Sequence, residues 1–329
     1  MREAFRERTE AYLAKVKAFY SEGTLTRIRA NLEVIRRDLM NLNIPKAVGV
    51  APTRLHEEHI AGLLLVWRGR GLQPATIERY VGDLNGLLTW CGNPIIEQMR
   101  KTKYVRFPKR DSDAPISTVS DEELDRLRAV AEGTEGWRGS VARFLVGFLP
   151  YTGLRPKEVR LANLVDLDVA KGRIKVSHPK GEGAWKSGEH EAPLPPAARE
   201  ALADFLTERT EYLAGESCES LIPYRMAACG SSGEWDAEVL GPWPSSALRK
   251  LKADLQERSG VRFRGWKAMR ATFGQRAVNA GVPIEKVSRA MRHKYTQTTE
   301  RFYARVSAGV ALDAVNRAFD KPAIRHRPR

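Results

Sequence analysis

Leu25, Ile28, Leu32, Ile35, Leu39 and Leu42 recur at steps of three and four. That spacing lays one apolar stripe along a helix. Thr24 is placed to cap its start, and Pro45 ends it soon after Leu42. Arg27, Arg29, Arg36 and Arg37 fall off the stripe and predict a basic outer face. An earlier helix, over 3–20, carries Phe5, Tyr12, Val16 and Phe19 on one side. Another runs from about Thr53 to Trp67 and stops at "RGRG". A further one begins near Pro74, carries Ile77, Val81, Leu84 and Leu88, and stops at Gly92. Together they predict a compact four-helix unit over 1–105 with basic outer surfaces.

The period is lost over 100–117, "RKTKYVRFPKRDSDAPIS", which is basic and carries two prolines. It predicts a linker, placed at 106–117, that either touches a phosphate backbone or is a solvated tether. Periodicity returns at "SDEELDRL", where Ser120 followed by Glu123 forms a capping box. A helix over 138–150 buries Val141, Leu145, Phe148 and Leu149. Pro156 suits a helix's first position, which puts Arg155 at a helix entrance. Residues 164–168 and 173–177 alternate enough for strands, and 191–195 can add a third. Helix resumes over 196–213, the Gly/Ser/Pro-rich 215–243 predicts an irregular insertion, and helices continue from about Ser245. The expected second domain spans 118–306, followed by a C-terminal helix and basic tail over 307–329.

Composition narrows the partner. The chain has 329 residues, which suits two domains, and at 42% hydrophobic and 29% charged it has the balance of a soluble globular protein. Its 55 Lys and Arg against 40 Asp and Glu give a net charge of +15. Such an excess points to a polyanion, nucleic acid first and an anionic membrane surface second. No apolar run of about 18 residues predicts a membrane span. The charged start, "MREAFRERTEAYLAKVKAF", has no signal-like apolar core. Cys91, Cys218 and Cys229 form no CxxC pair and suit free thiols in a reducing cytoplasm. His56 and His59, in "HEEH", have metal-like spacing but suit a solvated helix face better. No metal, cofactor or small-molecule substrate is expected. No GxxxxGK[ST] nucleotide loop occurs.

Four stretches of the second half carry candidate chemistry. They are "TGLRPKEVR" with Arg155 and Glu158, "HPKGEGAWK" with Lys180, "WKAMRATFGQRAVNAGV" with Lys267 and Arg270, and "MRHKYTQTTERFYARV" with His293 and Tyr303. Guanidinium matches phosphate bidentately and stays charged. Two of them stabilise a pentavalent transition state without metal. A lysine can deliver a proton to an alkoxide. Tyrosine can attack phosphorus where cationic neighbours ease its ionisation. Taken singly, each residue has a bland alternative: a surface cap, a solvated turn, a core aromatic, an interior histidine. Taken together, their order argues for a site.

That order (TGLRxxE, a hairpin lysine, a basic residue three before an arginine, then His and TTxxxY) resembles the tyrosine recombinase/phage integrase family, in a style similar to archaeal and mobile-element members. The motif match covers about 150–306, and the helical first part is similar to that family's core-binding domain by architecture only. The resemblance implies a mainly α fold with a small antiparallel sheet: a helical core DNA-binding domain plus a mixed α/β catalytic domain. It implies that Arg155 and Arg270 grip the non-bridging oxygens of one phosphate. Lys180 would protonate the leaving 5′-oxygen, with Lys186 as a rival. Lys267 stands where the family usually has histidine. His293 would hydrogen-bond the phosphate or help deprotonate the nucleophile, and Tyr303 would form a 3′-phosphotyrosine. Glu158 would orient Arg155. The His-to-Tyr interval is one residue longer than in many members, and Arg292 replaces a glycine that commonly precedes this histidine. The implied partner is double-stranded DNA, bound by a homo-tetramer on two synapsed sites in the cytoplasm, at the nucleoid. Val310, Val315 and Phe319 would dock onto a neighbouring subunit. Two alternatives stay open: a type IB-like topoisomerase and a catalytically silent DNA-binding protein of the same fold.

Overall fold

The computed structural model describes residues 3–42, 51–102, 105–109, 117–179, 190–228, 237–293 and 295–303, with Leu312, Asn316 and Phe319 beyond them. The described residues divide into two compact units, the first within 3–109 and the second from 117 on.

In the first unit α1 (Glu3–Val16) is followed by a 3₁₀ turn, α2 (Glu22–Met40), a second 3₁₀ turn at Pro52–Arg54, α3 (Glu57–Gly69), α4 (Pro74–Trp90) and α5 (Ile95–Thr102). All six apolar positions of the α2 stripe are buried. Each fully buried Leu or Ile contributes about 1.5–3 kcal/mol. Trp67 and Arg70 close the α2–α3 contact by donating to the buried Asp38 carboxylate, at 2.8 and 2.7 Å.

Several expectations for this unit are corrected. The α2 N-cap is Ser21, whose hydroxyl pairs with that of Thr24 inside the first turn. Phe19 is 73% exposed, because α1 ends at Val16 and the tighter 3₁₀ turn breaks the 3.6-residue phase. His59 is buried, since its Nδ1 accepts the backbone N–H of His56 at 3.1 Å at the start of α3. Arg27, Arg29 and Arg36 are engaged by Asp83, Glu10 and Glu33, so the basic face is partly neutralised from within. The additional helix α5 buries Ile96 and Met99, and Val105 and Phe107 pack on the same core. Pro45 lies outside the described residues.

The second unit begins with α6 (Asp121–Glu132), where Ser120 and Glu123 form the expected reciprocal cap. Next come α7 (Gly136–Thr152) and α8 (Pro156–Arg160). The α7 helix is apolar on most sides and is covered by α6, α9 (Pro196–Leu213) and α11 (Lys267–Asn279). Strands β1 (Leu167–Asp168), β2 (Arg173–Lys175) and β3 (Glu191–Pro193) form an antiparallel sheet in that order. Ile174 opposite Ala192 faces the core, while Arg173 and Glu191 pair on the outer side at 2.9 Å. The first half of the expected strand 164–168 is instead a 3₁₀ turn, Leu164–Asp166.

The expected irregular insertion is corrected as well. It holds an antiparallel hairpin of β4 (Pro223–Ala228) and β5 (Ala237–Pro242), with Tyr224 opposite Gly241 and Met226 opposite Val239. Its turn-rich composition belongs to 229–236, outside the described residues. After the hairpin come α10 (Ser245–Ser259), α11, α12 (Ile284–Ala290) and α13 (Thr296–Tyr303). The fold is mainly α with small antiparallel sheets. No helix among the described residues is long and apolar enough to cross a membrane.

Candidate active site

The site is assembled where α7 turns into α8. Gly153 ends α7 with φ of +61°, and a Cβ there would come within 2.5 Å of the Phe273 ring. Only glycine meets both demands at that corner. Two residues later Arg155 is the N-cap of α8, with Pro156 at the first helical position. Glu158 accepts the Arg155 backbone N–H at 2.8 Å and its Nη1 at 2.6 Å. One carboxylate therefore caps the helix and holds the guanidinium.

Arg270 approaches from α11 and is buried. It donates to the carbonyls of Gly153 and Met291, tying the α7–α8 corner to the end of α12. At that end the His293 N–H reaches the Ser288 carbonyl and the Arg292 N–H reaches that of Arg289, at 3.0 and 2.8 Å. This is the bond pair of a Schellman turn. Arg155 Nη2 donates to the Arg292 carbonyl at 3.4 Å. His293 Nδ1 lies 2.8 Å from the hydroxyl of Thr299 on α13, and Thr299 is fully buried.

The electrostatics follow from this crowding. Burial, then the charges of Arg270, Arg155 and Arg292, pull the His293 pKa down to about 4. Burial opposes ionisation of Glu158, but Arg292 and Arg155 outweigh it and hold the carboxyl below its usual range. Burial pulls the Arg292 guanidinium below its ordinary value, and Glu158 offsets part of that. Among the described residues the site is thus a cationic cluster around the buried Glu158 carboxylate, with a neutral imidazole near pH 7.

A stability consequence can be measured. The unfolded chain binds a proton on His293 below about pH 6.5 that the folded protein refuses until about 4. Between those values the unfolded state holds more protons, so stability rises with pH. The contribution is complete above the unfolded value and is lost as pH falls. Glu158, whose ordinary value is 4.5, acts in the same direction only at lower pH. Urea unfolding across this window should show a positive slope that flattens in His293→Gln. An unchanged slope in that variant would show that another group titrates there.

The structure brings Arg155, Arg270 and His293 into one network through main-chain carbonyls. Lys267 is the first residue of α11, exposed, one turn before Arg270. Tyr303 is the last residue of α13, one turn beyond Thr299; its side chain lies outside the described residues. Lys180 and its rival Lys186 also lie outside them, as do Val310 and Val315, whereas Phe319 is 82% exposed. Thr298 and Thr299 sit inside α13, so they do not cap it. In the sequence Thr299 stands only as part of the TTxxxY pattern, although its interval of six from His293 suits a side chain returning one turn into the next helix. Arg292 was visible as a departure without a role.

The second unit is mainly helical with a small antiparallel sheet, and it brings Arg155, Arg270 and His293 to one corner. Residues 118–309 match the phage integrase family, and the chain belongs to that family. It is 25% identical over 226 residues to the tyrosine recombinase XerC-like protein of Caldanaerobacter subterraneus subsp. tengcongensis, covering 63% of this chain and 55% of that one. It is 25% identical over 160 residues to tyrosine recombinase XerD of Oceanobacillus iheyensis, covering 49% and 51%. The chain spans about half the length of the curated relatives it matches. Among solved structures, its fold is similar to the Tn1549 transposon integrase in complex with transposon right end DNA (TM-score 0.64, 16% identity, 94% and 99% coverage). It is similar also to the XerH site-specific recombinase bound to difH substrate (TM-score 0.60, 18% identity, 89% and 78% coverage).

Proposed function

We propose that this protein is a site-specific DNA recombinase that cuts and rejoins strands through a covalent tyrosine intermediate. The observation that carries the reading is the convergence of Arg155, Arg270 and His293 on one corner of the second unit, the guanidiniums held by the carbonyls of Gly153, Met291 and Arg292 and the imidazole by Thr299. Family membership and the DNA-bound recombinases of similar fold support double-stranded DNA as partner.

In the first step the Tyr303 oxygen attacks phosphorus, forming a 3′-phosphotyrosine and breaking the bond to the 5′-oxygen. Arg155 and Arg270 stabilise the charge on the non-bridging oxygens. Lys180 gives its proton to the leaving 5′-oxygen. His293 is neutral in the free protein, so it can take the tyrosine proton or hydrogen-bond the phosphate through Nε2, its Nδ1 being held by Thr299. In the second step an incoming 5′-hydroxyl attacks the phosphotyrosine, releasing Tyr303 and resealing the strand. The phosphodiester energy is conserved throughout. Both units bind the duplex, the first as the core DNA-binding domain over 1–105, with 106–117 as linker. Four copies act on two synapsed sites in the cytoplasm, at the nucleoid.

A nicked suicide duplex tests the chemistry, since loss of the short leaving strand traps the adduct. Absence of adduct would favour the silent DNA-binding alternative. Relaxation of supercoils at concentrations that permit no assembly would favour the topoisomerase alternative.

Lys267 gives a graded test. Its place one turn before Arg270 suits a fixed cation near the phosphate. Lys267→Ala should slow single-turnover cleavage by about 10²–10³-fold, the scale for losing one stabilising donor. Lys267→Arg should recover part of it, keeping the charge while changing the geometry. An alanine variant that cleaves at the wild-type rate would make Lys267 a bystander.

A further inference from the structure

Arg292 occupies a backbone position that side chains avoid. It is the left-handed residue of the Schellman turn closing α12, with φ of +54°. Glycine is the usual occupant of such a position, because a Cβ there crowds the following carbonyl. The side chain does not escape to water: it is 4% exposed. Its Nη2 donates to Glu158 Oε2 at 2.6 Å and to the Gly153 carbonyl at 3.4 Å. Its Nη1 donates to the carbonyls of Ala290 and Glu191, at 3.1 and 3.4 Å. A disfavoured backbone and a buried charge are thus maintained together, and both converge on Glu158.

We infer that Arg292 is a positioning residue, which locks the Glu158 carboxylate and through it aims the Arg155 guanidinium at the DNA phosphate. The inference rests on the strand-transfer reading above and adds to it a residue outside the six assigned there.

The geometry leaves Glu158 little freedom. Oε1 receives Arg155 Nη1, while Oε2 receives both the Arg155 backbone N–H and Arg292 Nη2. Rotation of the carboxylate would break bonds at both oxygens. Arg292 also acts from its other end, because its own carbonyl accepts from Arg155 Nη2 at 3.4 Å. One residue therefore holds Arg155 directly through its main chain and indirectly through its side chain, and is followed at once by His293. Charge argues the same way. With Arg155 as its sole partner, Glu158 would cancel that cation and compete with the phosphate for it. Two guanidiniums on one carboxylate leave a net positive charge, so Arg155 keeps attraction for an incoming anion.

The competing account is that Arg292 only staples α12 to the α7–α8 corner. The two accounts differ in the chemistry of the folded protein. Arg292→Gly relieves the left-handed strain and removes the guanidinium, and Arg292→Lys keeps the charge. In Arg292→Gly we expect single-turnover adduct formation at saturating protein to fall by about 10²-fold, the scale for misplacing a reacting group. DNA affinity should stay within about threefold, since one internal ion pair supplies no phosphate contact. Arg292→Lys should recover part of the rate. In a Glu158→Gln background, Arg292→Gly should add less than about threefold, because both changes interrupt one path. Cleavage by folded Arg292→Gly at the wild-type rate, whatever its melting temperature, would overturn the inference, as would full additivity with Glu158→Gln. Crystal structures of wild type and Arg292→Lys or Arg292→Gly without DNA read the same point without chemistry: in Arg292→Gly the Glu158 carboxylate should rotate and carry the Arg155 guanidinium off its wild-type position. A guanidinium that stays in place would overturn the inference. If the wild type forms no adduct, the strand-transfer reading falls, and the position of Arg155 in these structures still decides the positioning claim.

Discussion

Tyr303→Phe should bind duplex DNA about as well as the wild type and form no covalent adduct at all. Affinity for DNA comes mainly from many cation–phosphate contacts, to which one hydroxyl adds little. A net charge of +15 suits such contacts. Nucleophilicity has the opposite distribution, since a single oxygen supplies all of it and phenylalanine has none. Position 303 ends α13, the helix whose Thr299 holds His293, so the proposed nucleophile and the imidazole both depend on that helix. Filter binding and the suicide duplex measure the two properties separately. Peptide mapping of the wild-type adduct adds a direct check against Tyr295, which is exposed just before α13. DNA found on Tyr295, or an adduct retained by Tyr303→Phe, would overturn the assignment.

Much of the scaffold was legible because it is written locally. The α2 stripe, the Ser120–Glu123 cap, the bounds of α9 and the placing of Arg155 before Pro156 depend on intervals of three or four residues. The gathering of Arg155, Arg270 and His293 was legible in a different way, through the order of motifs that resemble a family. Of what binds them, only the hold of Glu158 on Arg155 was legible. Arg292 meets Glu158 across 134 positions, and no periodicity encodes such a contact. His59 read as solvated because its pattern suits a surface, whereas a main-chain N–H turns it inward. The β4–β5 hairpin was hidden by the glycine- and serine-rich composition between its strands, which dominates a short window. Phe19 shows the limit of phase arguments, since one 3₁₀ turn was enough to rotate it into solvent.

Arg270 should be the substitution that damages structure and chemistry together. Its guanidinium is buried and serves the carbonyls of Gly153 and Met291, which belong to different elements of the site. Truncation to alanine leaves both acceptors without this donor in a buried place. Each unsatisfied group costs about 1–3 kcal/mol, and the Gly153 carbonyl keeps only its long contact from Arg292 at 3.4 Å, so Arg270→Ala should lose about 2–5 kcal/mol in urea unfolding. Its cleavage rate, corrected for the folded fraction, should fall by about 10³-fold or more, the scale for removing a transition-state arginine. Arg270→Lys separates the two effects. The charge remains, but a single ammonium cannot reproduce the planar fork that spans two carbonyls and still faces a phosphate. Its stability should lie between wild type and alanine, and its cleavage should stay reduced by about 10²-fold. Arg155 provides the contrast, because its side chain is 23% exposed and its internal partners are chiefly Glu158 and one carbonyl. Arg155→Ala should therefore cost as much rate with less loss of stability. If Arg270→Ala instead unfolded at the wild-type urea concentration and cleaved at the wild-type rate, neither the buried bridge nor the phosphate clamp could be assigned to it.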